Sequence, residues 1–287
     1  MPLERVVDRS GEGMMLLRYK HYFAPPDYTD AQLSSVAHTA LRHDDVLICS
    51  YPKSGSHWFW EIIRILLSGT TQLSADDKEP AMLERSMPEV KASLPSPRIL
   101  NTHVYHEDLP ATLTQMKVKV VFLVRNPKDV AVSFYNHHRK LPEYDYKGSW
   151  DTDIQRFLAG QVDYGSVFAY TRDMEQWTGD NPTHPVIVCH YENMKQNFRV
   201  EMRRLGDFLE RSPSDDLLAL AESRCHIDNM RAMKGTHFMD VDGNPIMYRK
   251  GLVGDWKNTF TVAQNEAFDD VMRSETRDLK TKFVFEV

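Results

Sequence analysis

Residues 45–64 read Asp-Val-Leu-Ile-Cys-Ser-Tyr-Pro-Lys-Ser-Gly-Ser-His-Trp-Phe-Trp-Glu-Ile-Ile-Arg, and the fold follows from how that stretch is parsed. Val46 to Cys49 is a short apolar run with two β-branched residues, as expected of a strand buried on both faces. Pro52 ends it, and Gly55 permits an unusual turn. Trp58, Ile62, Ile65 and Leu66 then recur at helical spacing. A strand, a Lys/Ser/Gly loop and a helix make an anion cradle. The first helical amides lack partners, the helix dipole adds partial positive charge there, and Lys53 adds a full one. The loop lacks the first glycine of the GxxxxGK[ST] nucleotide loop, so the anion need not belong to ATP. An ordinary strand-to-helix connection with a surface lysine is the plainer alternative.

Working outward, Ile99-Leu100 lead into Asn101-Thr102-His103, a short strand ending in polar groups. Lys119 to Val124 (KVVFLV) is the clearest buried strand, and Pro185 to His190 is another. After Val124, Asn126 suits a helix cap, Pro127 the first helical position and Asp129 the first turn, with the helix running to Arg139. Further helices are expected at 29–42, 151–160, 165–177, from Tyr191 to Leu209, from Ser212-Pro213 through Leu220, and from Thr261 to about Lys280. Residues 1–28, 68–97 and 226–260 read as largely irregular. Strands alternating with helices predict an α/β fold: one domain over 1–287, with a central parallel sheet flanked by helices. In such sheets ligands sit beyond the carboxyl ends of the strands. Lys53 to Trp58, Thr102-His103, Arg125 and His190-Tyr191 all fall at such ends.

The chain has 287 residues, 41% of them apolar, enough for one large core. Its 35 basic and 41 acidic residues leave a net charge of −6, which argues against a general nucleic-acid binder. Three dispersed cysteines (Cys49, Cys189, Cys225) form no CxxC pair, so neither a disulfide framework nor a zinc site is expected. No secretion signal or membrane-spanning stretch is read, and a cytoplasmic location is expected.

Three segments carry a resemblance. Tyr51-Pro-Lys-Ser-Gly-Ser-His-Trp58 resembles the P-loop-like 5′-phosphosulfate loop of the cytosolic sulfotransferases. Arg125-Asn-Pro-Lys-Asp-Val-Ala-Val-Ser-Phe-Tyr135 resembles their 3′-phosphate segment, and Arg249-Lys-Gly-Leu-Val-Gly-Asp-Trp-Lys-Asn-Thr-Phe-Thr261 their C-terminal motif. The resemblance implies 3′-phosphoadenosine 5′-phosphosulfate (PAPS) as donor, the bisphosphate PAP as product, and no metal. It implies that the phosphosulfate lies on the amides of Ser54, Gly55, Ser56, His57 and Trp58, with Lys53 facing the bridging, leaving oxygen. The 3′-phosphate would meet Arg125, Ser133, Arg249, Lys250 and Gly251. Trp58 would stack on adenine and Tyr191 would bond near the base. Cys225, Ile227 and Met230 fall among the donor-binding positions, Ile227 where the family has an aromatic.

His103 matches the family's catalytic base, with His106 as the rival three residues on. Ser133 and Asn101 complete the implied catalytic set, but the family has a lysine where this chain has Asn101. Slower turnover is expected unless Asn101 donates a neutral hydrogen bond. His57 replaces a small hydroxyl residue, and its imidazole is expected to stand in part for the missing charge. Tyr22, Phe23, His137 and the 141–150 loop are implied for the acceptor pocket, which suits a phenol, a catechol or, through Glu143, Glu107 and Asp108, a phenolic or catechol amine. Lys257 to Glu266 fits the family's dimerisation segment, implying a small homodimer interface. A small-molecule kinase, a nucleotide binder without turnover, and a same-fold dehydratase remain as alternatives.

Overall fold

A computed structural model describes residues 1–287 except 9–10, 73–77, 235–245 and 287. Its centre is a four-stranded parallel sheet of β4 (Val46–Ser50), β5 (Ile99–Thr102), β6 (Lys119–Val124) and β7 (Val186–His190), in the order β5-β4-β6-β7. Successive strand residues point to opposite faces, so each apolar run divides between two cores. Leu47, Cys49, Val120 and Phe122 face one core, with Phe134, Phe157 and Phe268. Val46, Ile48, Val121 and Leu123 face the other, with Phe59, Ile62 and Leu205. The continuous apolar patterns are thus those of strands covered on both sides.

An antiparallel sheet that the sequence reading missed precedes it. β1 (Leu3–Val7), β2 (Gly13–Tyr19) and β3 (Tyr22–Ala24) pair in order where residues 1–28 were expected to be irregular. Met14 and Leu16 of β2 pack on Tyr144 and Tyr146, contacts made across more than a hundred residues. The helix after Thr29 is also shorter than expected: α1 covers Asp30–Ser35 before a 3-10 turn at Val36–His38.

The helices around the sheet are α2 (Ser56–Ser68), α3 (Pro88–Ser93), α4 (Pro127–Lys140), α5 (Trp150–Leu158) and α6 (Val167–Asp180). After β7 come α7 (Tyr191–Gln196), α8 (Phe198–Phe208), α9 (Asp215–Arg224), α10 (Ile227–Lys234) and α11 (Val262–Glu275). The single helix expected from Tyr191 to Leu209 is broken at Asn197, where φ is −130° and ψ 52°. α10 lies in a stretch read as irregular, and the rest of that reading over 235–245 falls outside the described residues. Asn126 caps α4 as expected, accepting from the amide of Asp129, and Pro127 sits at its first position. Strand order reverses beside β4, which has β5 on one side and β6 on the other. A crevice is expected at such a switch point, beyond the carboxyl ends of the strands.

Candidate active site

The turn after β4 is built with two left-handed residues, Lys53 (φ 64°) and Gly55 (φ 102°). A Cβ on Gly55 would lie 2.7 Å from the ring of Tyr191, so only glycine fits there. Ser54 and Trp58 already use their amides on the carbonyls of Tyr51 (3.3 Å) and Gly55 (3.0 Å). Ser54 is also buried and off the cavity, which narrows the amide cradle expected over 54–58. Gly55 and Ser56 have no backbone acceptor for their amides among the described residues, as the start of a helix requires.

Around this turn lies a cavity of about 350 Å³. Lys53, Arg125, Ser133, Arg249, Lys250 and Gly251 all line it, so the Lys53 turn and the Arg249 segment face one space. Lys53 Nζ is 3.4 Å from Sδ of Met247, two residues before Arg249. Arg125 links the two, donating to the carbonyls of Lys53 (2.9 Å) and Leu252 (3.4 Å) while its guanidinium lies 4.3 Å from the Tyr191 ring centre. Its buried Nε has no hydrogen-bond partner among the described residues. Arg249 and Lys250 share Asp255, each at 2.7 Å. Burial opposes ionisation of that carboxyl, but the bonds from Lys250, Asn258 and Arg249 outweigh it and hold Asp255 down at about 2. Asp129 docks the whole segment by accepting from the amides of Gly254 (2.8 Å) and Trp256 (3.0 Å).

Trp58, Cys225, Ile227 and Met230 also line the cavity. Trp58 donates to the Cys225 carbonyl (2.9 Å) and meets Tyr191 edge-on at 5.2 Å. Ile227 lies against Gly251, where a Cβ would come within 2.9 Å of it. α10 is therefore the element that carries Ile227 and Met230 to the site.

His103 lines the same cavity at the end of β5. Its Nδ1 donates to the carbonyl of Ser50 (2.6 Å), which has only lone pairs to offer, so Nε2 keeps the unprotonated position. Burial, the charge of Lys78 and that of Lys53 push its pKa down to about 3, against the bond to Ser50. His103 is thus a neutral, tautomer-fixed imidazole. The rival His106 is held by Asp173 at 2.6 Å and does not line the cavity. Lys53, pushed down to about 7 by burial and by the charges of Arg125 and Lys78, lies 3.3 Å from Nδ1 of His137.

Several expected placements are corrected. Tyr22 and Phe23 lie off the cavity: Tyr22 donates to Asp108 (2.9 Å), and Phe23 carries Arg18 over its ring at 4.6 Å. The N-terminal segment contributes Pro25, Asp27 and Tyr28 instead. His57 lines the cavity, but burial and the charges of Lys78 and Lys53 hold its pKa far below the usual value. Its ring is neutral and cannot supply a cation. Asn101 is fully buried and directed at Lys78, not at the cavity. Two residues that the sequence reading did not single out hold this edge. Glu84 accepts from Thr102 Oγ1 (2.8 Å) and from the amide of His103 (2.7 Å). Tyr164, edge-on to His103 at 5.5 Å, adds an aromatic wall.

The family model described as a sulfotransferase domain matches residues 43–280, which take in the parallel sheet, the Lys53 turn and the Arg249 segment. The chain belongs to the sulfotransferase family. Sulfotransferase 1A1 of Rattus norvegicus is 36% identical over 261 residues, covering 84% of this chain and 87% of the relative. The mouse sulfotransferase SULT7A1, solved in complex with PAP, superposes with a TM-score of 0.78 at 28% identity, covering 92% of this chain and 95% of that one. Retinol dehydratase, solved with androsterone and the inactive cofactor PAP, gives a TM-score of 0.77 at 18% identity, covering 95% of this chain and 92% of that one. At that identity the likeness concerns the fold alone. Family membership makes this chain an enzyme of sulfuryl transfer and sets aside the small-molecule kinase. Among the described residues, no group of His, Cys, Asp or Glu could hold a metal ion, and no helix is long and apolar enough to cross a membrane.

Proposed function

We propose that this sulfotransferase moves the sulfuryl group of PAPS to the hydroxyl of a small phenol, catechol or phenolic amine. The observation that carries the reading is a single cavity lined both by the phosphate-binding set (Lys53, Arg125, Arg249, Lys250) and by His103 with its aromatic surroundings. Nε2 of His103 takes the hydroxyl proton as the acceptor oxygen bonds to sulfur. The bridging S–O bond breaks with its electron pair left on the phosphate oxygen of PAP, where Lys53 neutralises it. Sulfuryl transfer, like loose phosphoryl transfer, leaves the protein mainly to position reactants and neutralise charge. Ser133, on the cavity-facing side of α4, is assigned to the 3′-phosphate.

For the acceptor, Tyr28, Met82, Tyr144 and Tyr164 provide flat, mostly apolar walls. Four carboxylates also line the cavity, but Asp27 is paired with Arg85 (3.1 Å), Asp163 with His138 (2.6 Å) and Tyr144 (3.1 Å), and Glu79 lies 3.6 Å from Nε2 of His57. Glu143 has no partner among the described residues and is assigned to an amine on the acceptor. A cytoplasmic location and a homodimer through Lys257–Glu266 complete the reading. Labelled donor turned over against phenols, catecholamines and sterols tests it, with His103→Ala as the control. Transfer to phenols should fall 10²- to 10⁴-fold in the variant, the usual contribution of a positioned base. No transfer by the wild type would leave a nucleotide binder, and an eliminated product would indicate a dehydratase.

A further inference from the structure

We propose that Lys78 is the cation that meets the transferring sulfuryl group, in the place where the family resemblance puts a lysine at position 101. The inference rests on the sulfuryl-transfer reading above. Lys78 lines the cavity, is only 4% exposed, and lies 23 positions before Asn101 in the chain. Backbone pairing brings it there. Met82 bridges to Asn101 in parallel, and the amide of Leu83 donates to the Asn101 carbonyl at 2.9 Å, so the segment just before them runs over the end of β5.

Asn101 then clasps Lys78 from both ends. Lys78 Nζ donates to Asn101 Oδ1 at 2.8 Å, and Asn101 Nδ2 donates to the Lys78 carbonyl at 3.3 Å. An ammonium has three donors, and among the described residues only the one to Asn101 is used. A cation this deeply buried is costly unless something compensates it. Asn101 has no charge to offer. The nearby Glu79 and Glu84 favour its charged form, but burial wins and lowers its pKa. Its charge is also felt by Lys53, His57 and His103, all of which it shifts downward, so it stands within the catalytic cluster. An anion in the cavity supplies the missing compensation. The lysine expected on β5 has thus moved to the neighbouring segment, with an amide left at its old position to hold it.

The test compares wild type, Lys78→Met and the double variant Lys78→Met/Asn101→Lys, with kcat for a phenol and the Kd of PAP, which lacks the sulfuryl group, measured on each. Lys78→Met should lower kcat on the order of 100-fold, as loss of one preorganised donor to developing charge does. PAP affinity should stay within about threefold, because the lost contact belongs to the sulfuryl group. Restoring the charge from position 101 should recover at least about a tenth of the lost rate, which a merely structural lysine would not allow. Should Lys78→Met lower Tm, Lys78→Gln keeps a hydrogen bond to Asn101 without the charge and carries the same expectation. Wild-type turnover by Lys78→Met, or a loss confined to PAP affinity, overturns the inference alone. Absence of sulfuryl transfer by the wild type overturns the proposed function and this inference with it.

Discussion

The side chain with the clearest pH consequence is Lys53. Half-buried near the charges of Arg125 and Lys78, it is pushed down to about 7, whereas an anion at the turn favours its charged form. Below pH 7 the ammonium is charged before PAP arrives. Above it, binding must first return a proton, so affinity should weaken toward tenfold per pH unit. Calorimetry at pH 8 in buffers of differing ionisation enthalpy should show uptake of about nine-tenths of a proton per PAP, and Lys53→Met should remove most of it. Zero uptake by the wild type would mean that the ammonium stays charged in the empty site. Lys53, His103, Arg125 and Arg249 were legible because each lies within a contiguous motif, where type and spacing fix the local geometry. Lys78 was not. Its place depends on the pairing of Leu83 with Asn101, and a lone lysine among polar residues gives no sign of that. The neutrality of His57 was hidden for a related reason: burial, Lys78 and Lys53 set it, and only the last is a sequence neighbour.

At the level of elements, the decisive joint is between α4 and the 249–256 segment. Asp129, only 2% exposed, accepts from Gly254, Trp256 and the Asn126 side chain, so one carboxylate steadies the residue that caps a helix start and pins a loop from far along the chain. Hydrogen bonds to a buried charged group contribute about 1.5–3 kcal/mol each. Asp129→Ala should therefore release the loop that carries Arg249 and Lys250 while leaving the sheet intact. The expected result is a PAP Kd raised by tenfold or more, with faster proteolysis within 246–256 and nearly unchanged far-ultraviolet circular dichroism. Unaltered affinity would show that the loop is held by other contacts. The parallel strands were readable because an apolar run buried on both faces needs no knowledge of its partners. β1 to β3 were not, since LERVV and GMMLLRY become strands only by pairing with each other and packing Met14 and Leu16 on Tyr144 and Tyr146. α10 escaped notice as well, since its short polar sequence is helical beside a site that the sequence alone does not display.

For the whole molecule, the homodimer proposed above would form through the 257–266 stretch, away from the chemistry. Thr261 and Gln264 form a reciprocal capping box at the start of α11, which accounts for those two residues without a second chain. It does not account for Val262, a β-branched apolar residue 77% exposed on the first turn. Lys257 beside it is bound to Glu286 at 2.5 Å, an exposed pair of the kind that contributes little and can exchange partners. An apolar residue on a short polar segment suits a compact two-fold contact, in which each copy presents the same patch to the other. The interface would be below the usual size for stable complexes, so dimerisation should depend on concentration in the micromolar range. Val262 does not line the cavity, and Val262→Glu would place like charges face to face across the axis. Sedimentation of the wild type should show a concentration-dependent dimer that the variant loses, while kcat per chain stays the same. A wild type that remains monomeric at about 100 μM, some hundredfold above a micromolar Kd, would leave Val262 as no more than an exposed residue on a well-capped helix.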